Sequence, residues 1–497
     1  MDIQTRHNVT VAPNSSIKQL RPRSKRLLVM SNRAPIHLVG EGSEQRIEPT
    51  VGGVGSTFLR LLEHNGGIWI AWPGGSKAIA RMAMPPRNPR FMLVFQNLNE
   101  QDISNYYYGM CNRGLWPLMH FMTSNCRFDS SHWANYCLVN RKFAVTASRE
   151  AEQYDVAWVQ DFHLALVPQM LRERRGNAPI GLFWHVPWPP EQVFRIFPWR
   201  RELLEGMLGA DLIGFHTRAY VRHFLDCCER ILGLEVDRAH GEISHGSRVT
   251  RVGDHPLGIP GDFFHNLSAS AAVRARARRI RNGLRAHILI LGVDRLDYTK
   301  GIIERLLAFE RFLERKPEYC KRVTMVLIAV PSRTKVAEYA KLKRELDELV
   351  GRIVGRFSSG GWVPIRYLYA QLSPEELVAY YQAADIAMLT PLRDGMNLIA
   401  KEFVASQLGD SSVLILSEFA GAAEELPDAL LVNPYDIDGV ADTLARAIVM
   451  PLAEKHERLD RMRQQVMSNT LEQWSERFLA DLTHEENFAD AQAAIGP

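Results

Sequence analysis

Cysteine is scarce in this chain: six thiols in 497 residues, namely Cys111, Cys126, Cys137, Cys227, Cys228 and Cys320. Two are adjacent and no two form a C-x-x-C pair, which excludes a disulfide framework and a zinc knuckle and leaves reduced thiols as the simpler expectation. No apolar run reaches the roughly 18 residues that span a bilayer, and the first residues lack the apolar stretch of a secretory leader. A soluble cytoplasmic protein with no membrane partner is expected. A large charge of one sign is missing too, because 60 Lys+Arg face 56 Asp+Glu for a formal +4. Arg6, Lys18, Arg21, Arg23, Lys25 and Arg26 against Asp2 make residues 1–26 alone +5, so the rest of the chain sits near −1. That excludes the basic stripe of a nucleic-acid binder. Repeats and low-complexity tracts are absent. What is present is an ordinary globular composition, 46% hydrophobic and 23% charged, long enough for two or three cores.

Residues 1–26 read as a mobile basic arm. From Leu27 onward, short aliphatic runs alternate with amphipathic stretches: strand-like 156–159, helical 164–172, strand-like 180–184, helical 203–208, strand-like 212–215, helical 221–232. Continuous apolar runs between helices mark parallel strands buried on both faces, so the fold class is α/β, doubly wound. The alternation restarts at 288–293 and continues through 323–330, 365–369, 386–389, 413–416 and 430–432, with helices at 338–350, 374–383 and 398–406. Between the two series, 271–287 carries Arg274, Arg276, Arg278, Arg279, Arg281 and Arg285 without an acid and reads as a solvated connecting helix. The expected layout is therefore an arm (1–26), an N-terminal Rossmann-like domain (27–270), a C-terminal Rossmann-like domain (271–450) and closing helices (451–485) that could pack back on the first domain. Ligands are expected in the cleft between the two domains, with closure about hinges near 260 and the C-terminal helices.

Six constellations carry chemistry. Ser31-Asn32-Arg33 ends the first strand, and the glycine loop Gly52-Gly53-Val54-Gly55 opens the next helix. Such a loop lets backbone N–H groups approach an anion, and a guanidinium at a strand end can hold a phosphate. The aromatic run from Tyr106 through Tyr107 to Trp116 suits either core packing or a ligand wall. Gln160-Asp161-Phe162-His163 and His185 follow two successive strands, where doubly wound sheets bind ligands. Asp294-Arg295 and Lys300-Gly301 flank a strand-to-helix loop, so that two cations and loop amides could hold one diphosphate without a metal, pairing of these cations with Asp294 or Asp297 being the alternative. Pro331-Ser332-Arg333 ends the next strand. Finally Arg393–Glu402 places Asp394 in a loop and Glu402 about a turn and a half into a helix.

The stretches 294–301 (DRLDYTKG), 393–402 (RDGMNLIAKE), 417–423 (SEFAGAA) and 214–217 (GFHT) resemble, in order, the signatures of the trehalose-6-phosphate synthase family of retaining glycosyltransferases. The resemblance covers about 27–485. It implies the GT-B fold, transfer of glucose from UDP-glucose to glucose 6-phosphate with retention, no metal and no cofactor beyond the donor substrate. By the same resemblance Gly53, Arg295 and Lys300 would meet the donor diphosphate, Glu402 the ribose, and Asp394 with Gly395, Met396, Asn397 and Leu398 the donor sugar. Arg33, Tyr107, Trp116 and Arg333 would clasp the acceptor phosphate, with Asp161 and His185 around the reacting sugars. Catalysis would rest on Asp161, His185, Arg295 and Lys300.

Departures from the family pattern fall mostly on the acceptor side: Met110-Cys111, Phe162, Trp188 and Pro260, with 34–50 resisting alignment. Phe128–Trp133 also resembles the related glucosylglycerol-phosphate synthases, whose acceptor is glycerol 3-phosphate, and a non-catalytic sugar-phosphate sensor is the reading from another class. A double displacement through Asp161 competes with front-face displacement. The partners expected are the two substrates, a separate trehalose-6-phosphate phosphatase, since no further domain follows, and no nucleic acid; self-association into a homo-oligomer stays open. The physiological expectation is trehalose biosynthesis for osmoprotection.

Overall fold

A computed structural model of the chain describes residues 25–39, 46–49, 54–74, 80–175, 178–284, 287–333 and 336–484. The arm up to residue 24 and the loop holding Gly53 lie outside them. The chain divides into two compact units: unit 1 comprises Met1–His255 with Ser475–Pro497, and unit 2 comprises Pro256–Trp474.

In unit 1 the aliphatic run Leu27–Arg33 becomes a central strand, because both its faces are covered and its first four residues are fully buried. Among the described residues ten strands form one sheet in the order Glu235–Asp237, Glu242–His245, Arg248–Asp254, Leu212–Phe215, Ile180–Phe183, Val156–Gln160, Leu27–Arg33, Gly67–Trp72, Phe91–Phe95, Arg81–Met84. The seven strands from Arg248–Asp254 to Phe91–Phe95 pair parallel, and antiparallel strands close both edges. In chain order the parallel core runs 3-2-1-4-5-6-7, so winding reverses between Leu27–Arg33 and Val156–Gln160. The stretch 34–50, which the family pattern does not fit, contains an antiparallel pair, Ile36–Val39 with Arg46–Pro49.

Among the described residues unit 2 holds six strands, all parallel, in the order Ile365–Leu368, Val323–Val330, Ile288–Arg295, Ile386–Leu389, Val413–Ser417, Leu430–Val432. In chain order this is 3-2-1-4-5-6, the doubly wound order of nucleotide-binding sheets. Side chains of one strand feed two cores: Leu289, Leu291 and Val293 point to one face and Ile290 to the other. Alternation of this kind, with apolar groups on both sides, is why these strands read as unbroken apolar runs. The two sheets are the two Rossmann-like units of the GT-B fold class.

Three expectations about the layout need correction. The first unit ends at His255 rather than near 270. The arginine-rich helix Ala271–Leu284 is no mere connector, since Val273, Ala277 and Leu284 bury one side of it in the core of unit 2. The closing helices are also divided. Leu452–Met467 packs through Leu459, Met462 and Val466 into unit 2. Only residues from Ser475 onward belong to unit 1, where Phe478 stacks on Trp158 with ring centroids 4.6 Å apart. Glycine at 181 and 214 makes room for that ring, because a Cβ at either would stand 2.7 Å from it. No helix among the described residues is long and apolar enough to cross a membrane, and no disulfide joins the six cysteines.

Candidate active site

Doubly wound sheets bind ligands where the winding reverses, beyond the carboxyl ends of the strands. In unit 2 that point lies between Ile288–Arg295 and Ile386–Leu389, and the loops 296–301 and 390–397 that follow them are tied together. The Thr299 carbonyl accepts the Leu392 and Arg393 amides at 2.8 and 3.3 Å. Gly301, at φ +60°, permits the approach, since a Cβ there would lie 2.2 Å from the Thr390 carbonyl oxygen.

Across this junction Lys300 Nζ donates to Asp394 Oδ2 at 2.6 Å, and Asn397 Nδ2 donates to the same oxygen at 3.1 Å. Asn397 adopts a left-handed backbone (φ 77°), tolerable for asparagine, and caps the helix Leu398–Ser406 by accepting the Ala400 amide at 3.1 Å. One turn in, Glu402 accepts the Tyr381 hydroxyl at 2.9 Å. Burial pushes the Glu402 carboxyl up to about 7, the Tyr381 hydrogen bond holding it back. The segment 417–423 braces this loop from behind: the Asp394 amide donates to Phe419, the Gly421 amide to Asp394 and the Ala422 amide to Met396. Gly421 leaves no room for a side chain, the Gly395 carbonyl oxygen lying 2.1 Å from where its Cβ would be. Gly395, Met396 and Asn397 are buried and Leu398 half-buried at the helix start.

Arg295 is the exposed last residue of its strand. Neither it nor Lys300 bonds Asp294, which pairs instead with fully buried Arg305 at 2.6 Å. Burial pushes the Asp294 carboxyl up and Arg305 pulls it back. Asp297 is fully buried, yet Arg333, Arg295 and Lys300 outweigh the effect of burial and hold its carboxyl down at about 2. Arg333 Nη1 and the Tyr339 hydroxyl donate to Asp297 Oδ2 at 3.0 and 2.9 Å. The family resemblance puts Arg333 in an acceptor clasp with Arg33. In the structure Arg333 belongs to unit 2, its side chain 8% exposed and paired with Asp297.

Unit 1 gathers the rest at its own reversal point. The guanidinium of Arg33, exposed at the end of the first strand, lies over the ring of Trp72 at 3.9 Å and that of Tyr107 at 5.0 Å. Such stacking holds a cation in place while leaving its N–H edge for an anion. Tyr107 sits in the π-helical segment Ile103–Leu115, whose neighbours Tyr106, Met110 and Cys111 are core residues. Trp116 is 6% exposed, its ring against His120 and Phe162. Asp161, at φ 67°, accepts the His185 amide on Oδ1 at 3.1 Å and has His163 Nδ1 at 3.7 Å from Oδ2. His185 Nε2 and the Gln160 side-chain amide share a hydrogen bond at 2.9 Å, which fixes the ring. Burial pulls the imidazole down to about 3, which keeps it neutral.

Against this geometry stand the relatives. The profile of glycosyltransferase family 20 matches residues 25–484. The chain belongs to glycosyltransferase family 20. A trehalose-6-phosphate synthase of Mycolicibacterium vanbaalenii is 37% identical over 489 residues, covering 96% of this chain and 99% of the relative. A bifunctional trehalose-6-phosphate synthase/phosphatase of Thermoproteus tenax is 39% identical over 468 residues, 92% of this chain; the chain spans 63% of that relative's length. Among solved structures, a UDP-forming α,α-trehalose-phosphate synthase of Burkholderia xenovorans in complex with glucose-6-phosphate has a TM-score of 0.84 at 35% identity, covering 92% of this chain and 100% of that one.

Several residues of this family 20 site escape a reading of the sequence. Trp72 ends a strand that pairs beside the first one, and Tyr381 and Tyr339 come from helices distant in sequence. Strand pairing brings in Trp72 and helix packing brings in the two tyrosines, and no local signal marks any of them.

Proposed function

We propose that the chain makes α,α-trehalose 6-phosphate by moving glucose from UDP-glucose to glucose 6-phosphate with retention and without a metal. The observation that carries this reading is the junction in unit 2, where Lys300, Asp394, Asn397 and Glu402 converge at the reversal point beside Arg295. Cations at the carboxyl end of a strand suit a diphosphate, and a carboxylate on the helix that follows suits ribose hydroxyls.

In this reading the bond between the anomeric carbon and the diphosphate oxygen breaks, and the acceptor hydroxyl forms the new bond on the same face. Its proton passes to the departing diphosphate oxygen, so neither Asp161 nor His185 has to carry it. Arg295 and Lys300 stabilise the charge growing on the leaving group, and preorganised electrostatics of this kind commonly supplies most of an enzyme's rate enhancement. His185, neutral and fixed by Gln160, serves as a hydrogen-bonding group to a sugar. Arg33 between Trp72 and Tyr107 takes the acceptor phosphate, which supplies binding energy away from the reacting hydroxyl. The B. xenovorans structure with glucose-6-phosphate supports that choice of acceptor.

The test is UDP release from UDP-glucose with glucose 6-phosphate and with glycerol 3-phosphate, side by side. Fast release with the hexose phosphate alone is the expected result. Preference for the glycerol phosphate would move the chain to the related synthases, and silence with both would refute the reading.

A further inference from the structure

The helix Leu398–Ser406 carries, next to Glu402, a second buried charge that the proposed reaction does not use. Lys401 is 1% exposed, donates from Nζ to the Leu257 carbonyl at 2.6 Å, and forms an ion pair with Glu425. Asn469 Nδ2 donates to the other Glu425 oxygen at 2.7 Å and to the Pro256 carbonyl at 3.1 Å. All of these groups are in unit 2, and their places in the chain are telling. Pro256 and Leu257 are its first two residues, and Asn469 stands shortly before Trp474, its last. The two segments also meet directly, since a Cβ on Gly258 would lie 2.1 Å from the Asn469 carbonyl oxygen. The ammonium therefore ties the helix bearing Glu402 directly to the segment by which the chain enters the unit and, through Glu425 and Asn469, to the one by which it leaves.

A buried ammonium is retained only when paired and hydrogen-bonded, and an apolar side chain of similar length would fill the same space without that cost. What the charge adds is register: a carbonyl and a carboxylate at fixed points allow the helix one position, whereas apolar packing tolerates small slides. We propose that Lys401 is a positioning residue for the nucleotide, setting where Glu402 and Asn397 stand by keying their helix to the segments 256–258 and 469–470. The proposal deepens the donor reading above and rests on it.

The experiment compares the full chain with Lys401→Met and with Lys401→Met/Glu425→Gln, reading thermal stability, UDP binding by calorimetry, and kcat and KM for each substrate. The single variant strands the Glu425 charge, so its Tm falls. The double variant removes both charges and recovers the Tm. Under the proposal its Kd for UDP and KM for UDP-glucose stay raised, by about 10- to 100-fold as for one lost hydrogen bond to a charged group, while KM for glucose 6-phosphate stays that of the wild type. A double variant with wild-type UDP affinity, with both KM values raised alike, or unable to fold would assign Lys401 to stability alone and overturn the proposal. A wild-type chain that binds no UDP would instead overturn the donor reading beneath it, and the proposal with it.

Discussion

Glu402 offers a sharp test, because its proposed task conflicts with its surroundings. Its carboxyl is pushed from an ordinary 4.5 up to about 7, chiefly by burial. The native protein therefore holds a proton there more tightly than the unfolded chain does. Stability from this group is fully present below about 4.5 and is lost as the pH climbs through about 7. At about 1.4 kcal/mol for each pKa unit, the full rise is worth roughly 3 kcal/mol, a ceiling since Glu402 keeps some contact with solvent. Glu402→Gln keeps an oxygen to accept the Tyr381 hydroxyl and never ionises. The ligand-free variant should thus be more stable than the wild type at pH 8.5, by up to about 3 kcal/mol, with the difference shrinking to nothing near pH 4.5. Thermal unfolding of both proteins across that pH range is the assay. The same variant should bind UDP more weakly at pH 8.5, where the wild type presents a carboxylate to the ribose. A variant less stable at every pH, or a stability gap that does not move with pH, would refute the reasoning.

Lys300→Met should lower kcat by about 10²- to 10³-fold, the loss expected for one preorganised donor to a developing anion, with a lower Tm because Asp394 loses its cationic partner; a rise in KM alone would contradict its placement at the leaving group. Arg33→Met should reduce kcat/KM for glucose 6-phosphate by roughly 30-fold or more, about 2 kcal/mol for a lost charged partner, and leave turnover of free glucose as it was. Equal losses on both acceptors would remove Arg33 from the phosphate. Asp161→Asn keeps an oxygen for the His185 amide and should retain most of kcat. A variant dead in turnover yet normal in UDP binding would revive a nucleophilic Asp161.

The strands of unit 2 are legible because burial on both faces writes them as unbroken aliphatic runs, and 323–330, 386–389 and the helix 398–406 appear at those bounds. The helix Ala271–Leu284 misleads for a physical reason. Its arginines hide a short buried stripe, Val273, Ala277 and Leu284, which suffices to seat it in the core of unit 2. A strand end normally faces a ligand, which points Arg333 outward, whereas Asp297 and Tyr339 give it an inward partner that strand spacing does not announce. For Lys300 the spacing suggests a diphosphate or a neighbouring Asp. Its partner is Asp394, 94 residues on, brought there by the pairing of Ile288–Arg295 with Ile386–Leu389.

That pairing bears on how the proposed chemistry divides its energy. Lys300 and Asp394 hold each other at 2.6 Å, with side chains 10% and 15% exposed. On the proposed reading the donor comes between them, phosphate oxygens taking the ammonium and sugar hydroxyls taking the carboxylate. Each group exchanges one charge-assisted bond for another, so the pair contributes little to ground-state affinity. The gain arrives when the anomeric bond breaks and the diphosphate gathers charge beside Lys300, an interaction stronger in the transition state and hence expressed in kcat. Asp294 and Arg305 directly behind are 1% and 0% exposed, too enclosed for a substrate to separate them. The exchangeable pair thus serves the reaction, and the sealed pair fixes the strand and loop on which the exchange takes place.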